Sequence, residues 1–439
     1  MGQTVLILGA GFGGLPIALK LADEFRGHPD PPRIVLVDKE PYHLFKPMLA
    51  EVATGCASPH QITEPLGFVL RGRRVELIQG RVLGIDLAAR RVEVRLAGGP
   101  WERTPDQPQR TLALAYDRLV LALGSSVNFF RIEGAREHCV PLNDIRDAER
   151  IRAQMMGAFA MGTRLEDPVQ RRKLLSFVVI GGGPTGVELV AEIHNLVHHT
   201  LVPSYPLVDY AREVSVRVIE AGPTLMPGTT EVVRNSVIKH LLAKDIAITA
   251  GKRVTRVGAD FVELEDGKER IEAANLFWSA GVRGNEAYDA LPLAKGRTGR
   301  VVVEPTLLVP GHPEVIAVGD GAEFLYEGRP LPTTAQVAVQ EAAAAAWNLA
   351  RLLRGDGTLR PFRYKHMGTA VSLGDEKGVF MAGARVTLEG FLGWFGWKLI
   401  YLKHLASIRG SFRAALKWMS DLTYDREASR HLYSSGYEG

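Results

Sequence analysis

Hydrophobic positions along this chain fall into two patterns, and their alternation outlines a fold. Short apolar-rich runs, the mark of strands buried on both faces, lie at 5–8, 34–37, 119–123, 177–180, 214–219 and 315–318. Weaker strand candidates lie at 75–78 and 92–96, and strand character returns over 359–382. Between these runs, apolar residues recur every three or four positions over 15–25, 144–163, 187–197 and Ala335–Leu353, which predicts helices. Strand and helix in alternation predict parallel sheets with helices on their faces. Glycine, proline and charged residues mark the breaks: a hairpin tip or loop at 98–109, loops at 27–32 and 198–209, and a linker at 164–173.

Two of the strand–helix junctions carry the same motif. The run at 5–8 leads into Gly9-Ala10-Gly11-Phe12-Gly13-Gly14, and the run at 177–180 leads into Gly181-Gly182-Gly183-Pro184-Thr185-Gly186. Each contains GxGxxG between a strand and a helix. There the first glycine permits a tight turn and the second lets the backbone approach a pyrophosphate. The third lets helix and strand pack closely, and the helix N-terminus faces the phosphate charge. Each copy has an acid at the end of its next strand, Asp38 and Glu220. A carboxylate there accepts hydrogen bonds from adenosine ribose hydroxyls and repels the extra phosphate of NADPH. The spacing exceeds the usual ~20 residues, and the loops at 27–32 and 198–209 absorb the excess. The plain alternative is an acid that merely ends a strand. The expected fold class is α/β, with two Rossmann-like dinucleotide-binding domains, the second inserted in the first. The expected division is 1–145 and 283–382 for the first domain, 146–282 for the second, and 383–439 for a separate C-terminal segment.

Composition narrows the function classes. The chain of 439 residues suffices for two or three domains. A formal charge of +4 is too small to suggest nucleic acid. Cys56 and Cys139 form no CxxC pair and are too few for a disulfide framework, which fits a reducing compartment. A strand begins almost at once, so no targeting segment is expected ahead of it. No apolar run reaches the ~18 residues of a membrane span. His198 and His199 have no partner at metal-ligand spacing, so no metal site is expected.

Further stretches carry a resemblance that covers nearly the whole chain. Ala122-Leu123-Gly124 stands where two-dinucleotide-binding flavoproteins have Ala-Thr-Gly, and Gly319-Asp320 matches their late flavin-contacting motif. The narrower likeness rests on Tyr42-His43-Leu44-Phe45-Lys46-Pro47-Met48-Leu49, on Glu51-Val52-Ala53-Thr54-Gly55, and on Ala335-Gln336-Val337-Ala338-Val339-Gln340. The last resembles the AQxAxQ helix that lines the quinone pocket of type II NADH:quinone oxidoreductases. This resemblance implies FAD on the first unit, with Gly9, Gly11, Phe12, Gly13, Gly14, Asp38, Lys39, Lys46, Ala122, Gly124, Gly319, Asp320, Ala335 and Gln336 among its contacts. It implies NADH on the second, with Gly181, Gly183, Thr185, Gly186, Glu188, Glu220 and Gly281. Catalytic roles would fall to Glu188, Gln336 and Gln340. Gln336 and Gln340, four apart, share a helical face where their amides can meet quinone carbonyls while alanines leave room for a flat ring. The alternative is a small-residue helix packed on flavin with two solvated glutamines. For Glu188, a carboxylate in a helix's first turn is also favoured by the macrodipole alone. Met367 departs from the family segment, where a Lys is common.

The C-terminal segment reads differently. Trp394, Trp397, Tyr401, Leu405, Ile408, Phe412, Leu416 and Met419 recur at helical spacing, with Lys403, Arg409, Arg413 and Lys417 beside or opposite them. An aromatic stripe next to a basic face suits an interfacial helix on anionic lipid. A helix covering the core, or a dimer interface, would show the same pattern. The expectation is a non-proton-pumping enzyme on the cytoplasmic face of the cell membrane, homodimeric, with NADH and a membrane quinone as partners. Two competitors stay open: a soluble FAD-dependent NAD(P)H reductase of a protein acceptor, and an NADH-sensing flavin-bearing interaction module. Disulfide reductases and sulfide:quinone oxidoreductases fit less well, because the redox cysteine pairs they use are missing and no cysteine follows Cys139.

Overall fold

The computed structural model describes residues 2–98, 110–383 and 386–404. The chain forms two compact units, each assembled from separated segments. The first takes Met1–Leu44, Thr63–Ser126 and Val282–Lys365; the second takes Phe45–Ile62, Val127–Gly281 and the chain from His366 onward.

In the first unit the apolar runs build one eight-stranded sheet. Its order is Leu308–Val309, His312–Ala317, Arg118–Leu121, Thr4–Leu8, Arg33–Asp38, Val75–Asp86, Arg91–Leu96 and Thr111–Ala115. The strands from His312–Ala317 to Val75–Asp86 are parallel, with Val5 beside Ile34 and Leu119 beside Val315. Val5, Leu6, Ile7 and Leu8 are all fully buried, as strands covered on both faces must be. The helices Gly14–Glu24 and Ala335–Leu353 pack together. The strand starting at Val75 runs on to Asp86 and turns back twice as an antiparallel meander. The expected tip at 98–109 falls almost wholly at 99–109, outside the described residues.

The second unit holds a five-stranded parallel sheet in the order Val140–Pro141, Asn275–Trp278, Ser176–Ile180, Ser215–Glu220, Ala247–Ala250. It also holds two three-stranded antiparallel sheets, 254–272 and 368–389. Leu49–Ala53, from the segment Phe45–Ile62, packs on the helices Ile145–Gly162 and Pro184–Leu196, which draws that segment into this unit.

Two loop expectations are corrected. The charged stretch 164–173 is not a plain linker, because Pro168–Leu174 is helical. Asp167 caps it by accepting from Val169 N at 2.8 Å, Pro168 supplies the preset φ of a first helical position, and Arg171, Arg172 and Lys173 complement the C-terminal dipole. The polar stretch after residue 197 begins not as a loop but as a wide helical turn, Val197–Leu201, continued by Val202–Ser204. No glycine interrupts the helix there, and its Pro203 falls on the last short turn.

Candidate functional site

The two glycine motifs fold into matching turns, one in each unit. In the first, Gly9 takes φ 102° and its N–H donates to Val37 O at 2.7 Å. In the second, Gly181 takes φ 115° and its N–H donates to Ile219 O at 2.8 Å. The third glycine of each motif presses on the first: a Cβ on Gly14 would overlap Gly9 O, and one on Gly186 would overlap Gly181 O. The middle glycines are the opposite case. Above Gly11 and above Gly183 a Cβ would meet nothing within 4 Å. Each turn is therefore closed below and open above, next to the N-terminus of a helix, which is the cradle a pyrophosphate needs.

The acidic partners match as well. Asp38 accepts from Ala10 N at 2.6 Å and from Glu40 N at 2.9 Å, one bond to each carboxylate oxygen. Glu220 repeats this, accepting from Gly182 N and Gly222 N, both at 2.7 Å. Both acids thus bridge the glycine turn to the loop after their own strand. Each carboxylate oxygen retains a second acceptor site for a ribose hydroxyl. The bridging bonds give both acids a structural role that the sequence does not show. His43 supports the first turn: its Nδ1–H donates to Ala10 O at 2.8 Å and its ring meets Phe12 edge-on at 5.2 Å. Burial holds its pKa below the ordinary value. Lys39 stands half-exposed beside Glu40.

Elsewhere in the first unit, the Ala122–Gly124 stretch is fixed by Tyr288, whose hydroxyl accepts from Leu123 N at 2.9 Å, and by Asn285, which donates to Leu123 O at 3.2 Å. Asp320 accepts from Ser125 Oγ at 3.2 Å. The turn Gly319–Gly321 is held from below by Glu341, almost fully buried, which accepts from Gly319 N at 2.6 Å. Burial pushes its carboxyl up to about 8, so it carries a proton at neutral pH. Glu341 follows Gln340 directly, and only its charge inside an alanine-rich buried face could have drawn attention to it.

The paired glutamines differ. Ala335 and Gln336 open their helix half-buried. Gln340 is engaged with the backbone: its Nε2 donates to Gln336 O at 3.1 Å and Lys365 O at 3.0 Å, and its Oε1 accepts from Lys365 N at 3.0 Å. It clamps the segment leading to Met367, a task that spacing alone did not reveal.

The second unit holds Thr185, exposed on the first turn of its helix, and Lys46, whose Nζ donates to Asn143 Oδ1 at 3.0 Å. It also contains a group of buried acids. Glu188 is buried and accepts from Ser372 N at 3.1 Å. Burial raises its carboxyl to about 8, with the nearby Glu51 and Glu192 adding to the effect. Glu192 accepts from the Cys56 thiol at 3.0 Å, and Glu51 pairs with Lys398 Nζ at 3.0 Å. Cys139 is buried, which pushes its thiol up to about 12. Among the described residues, no group of three or more His, Cys, Asp or Glu is placed to hold a metal ion.

Glu188 and Glu341 imply a pH dependence of stability. An unfolded chain releases both protons near pH 4.5, whereas the folded chain keeps them to about 8. The folded state binds more protons across that window, so stability falls as pH rises through it, by at most roughly 1.4 kcal/mol per pH unit for each group. Denaturant unfolding at pH 5.5, 6.5 and 7.5 should show this fall, and Glu341→Gln should flatten its share. An equal slope in the variant would remove the assignment.

The tail helix Gly390–His404 sits on the strand Gly378–Ala382, and it approaches closely because Gly393 and Gly396 face that strand. A Cβ on Gly396 would lie 2.7 Å from the Phe380 ring. Over its described part the helix takes the core-covering arrangement at Trp397, and Trp394 is half-buried. Trp397 turns inward with 1% exposure, while Phe391, Leu392, Phe395 and Leu399 are about half exposed. The remaining stripe positions from Leu405 to Met419 lie outside the described residues. No helix among the described residues is long and apolar enough to cross a membrane.

Comparison with known proteins agrees with this geometry. Residues 3–342 match the family model of the pyridine nucleotide-disulphide oxidoreductases. The chain is 33% identical over 426 residues to the type II NADH:quinone oxidoreductase Ndh of Mycobacterium tuberculosis, covering 95% of this chain and 87% of that protein. It is 28% identical to the type II NADH:quinone oxidoreductase of Staphylococcus aureus, over 94% and 96% of the two. The fold is similar to that of NDH2 from Plasmodium falciparum solved in complex with NADH, with a TM-score of 0.85 at 19% identity, over 98% of this chain and 100% of that one. The chain belongs to the pyridine nucleotide-disulphide oxidoreductase family and, within it, to the type II NADH:quinone oxidoreductases.

Proposed function

We propose that this protein oxidises NADH by way of bound FAD and delivers two electrons to a quinone, without pumping protons. The observation that carries this reading is the duplicated cradle: two turns closed below and open above, each bridged by its own acid. The first suits FAD, held by the Gly9–Gly14 turn and Asp38, with the Ala122–Gly124 and Gly319–Asp320 backbones alongside. The second suits NADH, held by the Gly181–Gly186 turn and Glu220. FAD, when bound, supplies the chemistry that takes a hydride from NADH and returns electrons to an acceptor. The residues of the chain orient, exclude water and manage protons. Glu188 holds a proton on its buried carboxyl at neutral pH, as a group serving a proton-consuming reduction must. Gln336 offers an amide to a quinone carbonyl, while Gln340 fixes the chain beside it.

Anaerobic addition of NADH to the yellow holoprotein should bleach the flavin band, and a short-chain quinone should restore it. Bleaching without recovery would overturn the quinone reading in favour of a protein acceptor or a signalling role. Gln336→Leu should leave flavin reduction by NADH unchanged and slow reoxidation by quinone about tenfold, the loss of one hydrogen bond. Equal loss in both half-reactions would remove Gln336 from the quinone site. Glu220→Ala should raise KM for NADH and lower the preference for NADH over NADPH; an unchanged preference would leave Glu220 a purely structural bridge.

The reading extends to a place in the cell. The outward row Phe391, Leu392, Phe395 and Leu399 supports seating on an anionic lipid surface, where a membrane quinone is reached. Attachment to the cytoplasmic face, and pairing of two chains through the tail, belong to the same proposal. Flotation of the full chain with anionic vesicles checks the first, and sedimentation checks the second.

A further inference from the structure

The second unit carries an exposed aromatic ring on a strained loop. Phe130 is 55% exposed and takes φ 51°, and Arg131 after it takes φ 58°. Two successive non-glycine residues in the left-handed region are costly, and such strain persists where the surroundings impose it. Here they do. Asn128 donates from N to Gly281 O at 3.3 Å, accepts at Oδ1 from Phe130 N at 2.9 Å, and accepts at its carbonyl from Trp278 Nε1 at 3.0 Å. Phe129 lies against the Trp278 ring at 5.4 Å. This bracing holds the Phe130 ring over Gly281, so close that a Cβ on Gly281 would lie 2.7 Å from Phe130 Cζ.

Topology says what this position is for. The strand Ser176–Ile180 lies between Ser215–Glu220 and Asn275–Trp278 in one parallel sheet. The chain proceeds to one side of it toward Ser215–Glu220 and returns on the other as Asn275–Trp278, so the strand order reverses at their carboxyl ends. Ligands of open α/β sheets bind in that crevice. Its floor is the Gly181 turn, and Ser279 ties its wall to the floor by donating from Oγ to Gly181 O at 3.1 Å. A dinucleotide whose adenosine lies at Glu220 and whose pyrophosphate lies over Gly181–Gly183 extends its other half toward Ser279–Gly281, where Phe130 stands.

We infer that Phe130 is a positioning residue for the nicotinamide half of NADH, an exposed ring held over Gly281 to give that half an aromatic wall. This rests on the NADH reading above and adds to it the group that orients the reacting ring. The near-planar dihydronicotinamide ring of NADH packs against such an apolar face, and the strained loop is ordered before NADH binds.

The test uses the holoprotein and two variants, Phe130→Gly and Phe130→Tyr. Glycine suits the left-handed backbone, so Phe130→Gly should keep or raise the thermal midpoint while weakening NADH. In anaerobic stopped-flow reduction, its apparent Kd for NADH should rise about tenfold, the scale of one aromatic contact. ADP-ribose, which has the same adenosine and pyrophosphate but no nicotinamide, should bind both forms equally by calorimetry. Phe130→Tyr should behave as wild type. An unchanged Kd for NADH in the glycine variant would overturn the assignment. So would a parallel loss of ADP-ribose affinity, or a fall in the midpoint, since either makes the ring part of the scaffold. A wild-type protein that NADH does not bleach would instead overturn the underlying function, so the two failures are distinguishable.

Discussion

Gly186→Ala should weaken the use of NADH while leaving a yellow, FAD-loaded protein, and Gly14→Ala should instead lower the FAD content of the purified protein. The expected size follows from the overlap. A methyl on Gly186 coincides with Gly181 O and comes within 2.5 Å of Ser279 Oγ, and one on Gly14 coincides with Gly9 O. Backbone carbonyls at the bottom of a tight turn cannot rotate away, so the helix must move off the strand. Overpacking of this kind costs about 1–3 kcal/mol, and the displacement also shifts the helix N-terminus that faces the phosphates. Together these should weaken the affected nucleotide by roughly 10- to 100-fold. Flavin content after purification and flavin bleaching by NADH read the two sites separately. A Gly186→Ala protein that NADH reduces at the wild-type rate would show that the second turn does not bind the nucleotide.

Lys398→Met should destabilise the second unit by about 3–5 kcal/mol, the cost of leaving one partner of a buried ion pair alone. Lys398 and Glu51 are both nearly fully buried, with Nζ and Oε1 at 3.0 Å, and the ammonium also lies over the Trp397 ring at 4.8 Å. Removing it leaves Glu51, Glu188 and Glu192 in one buried region with a cation fewer. Adding Glu51→Leu to Lys398→Met should recover much of the loss, because an apolar pair of similar volume no longer strands a charge. Denaturant midpoints of the single and double variants decide it. Equal stability of wild type and Lys398→Met would mean that solvent reaches the pair.

What could be read in the sequence was what is local. A glycine turn between an apolar strand and a helix is complete within a dozen residues, so both nucleotide turns, Asp38 and Glu220 stood out. The contacts that give these residues their second duties are not local. Asp38 reaches back 28 residues to Ala10 and Glu220 reaches back 38 to Gly182. Glu51 meets Lys398 across 347 residues, and Cys56 meets Glu192 across 136. No periodicity encodes such pairs. The tail shows a different limit. Residues 391, 392, 395 and 399 share the helical period of 394 and 397, and period alone does not say which face is covered. The surface that decided it, the strand Gly378–Ala382 seen through Gly393 and Gly396, is known only once folded. The segment 164–173 reads as a linker because of its charges, while the start of the helix Pro168–Leu174 is set by the single pair Asp167 and Pro168.

The carboxylate bridge that recurs in both units bears on inhibitor selectivity. A compound built on an adenosine diphosphate scaffold would meet the same arrangement twice, an open middle glycine and an acid already bound to two amides. It would compete with cofactor loading as well as with substrate, and an assay on fully loaded protein would report only half of its effect. Discrimination between the two sites therefore has to come from what lies past the second phosphate, where the units cease to resemble each other.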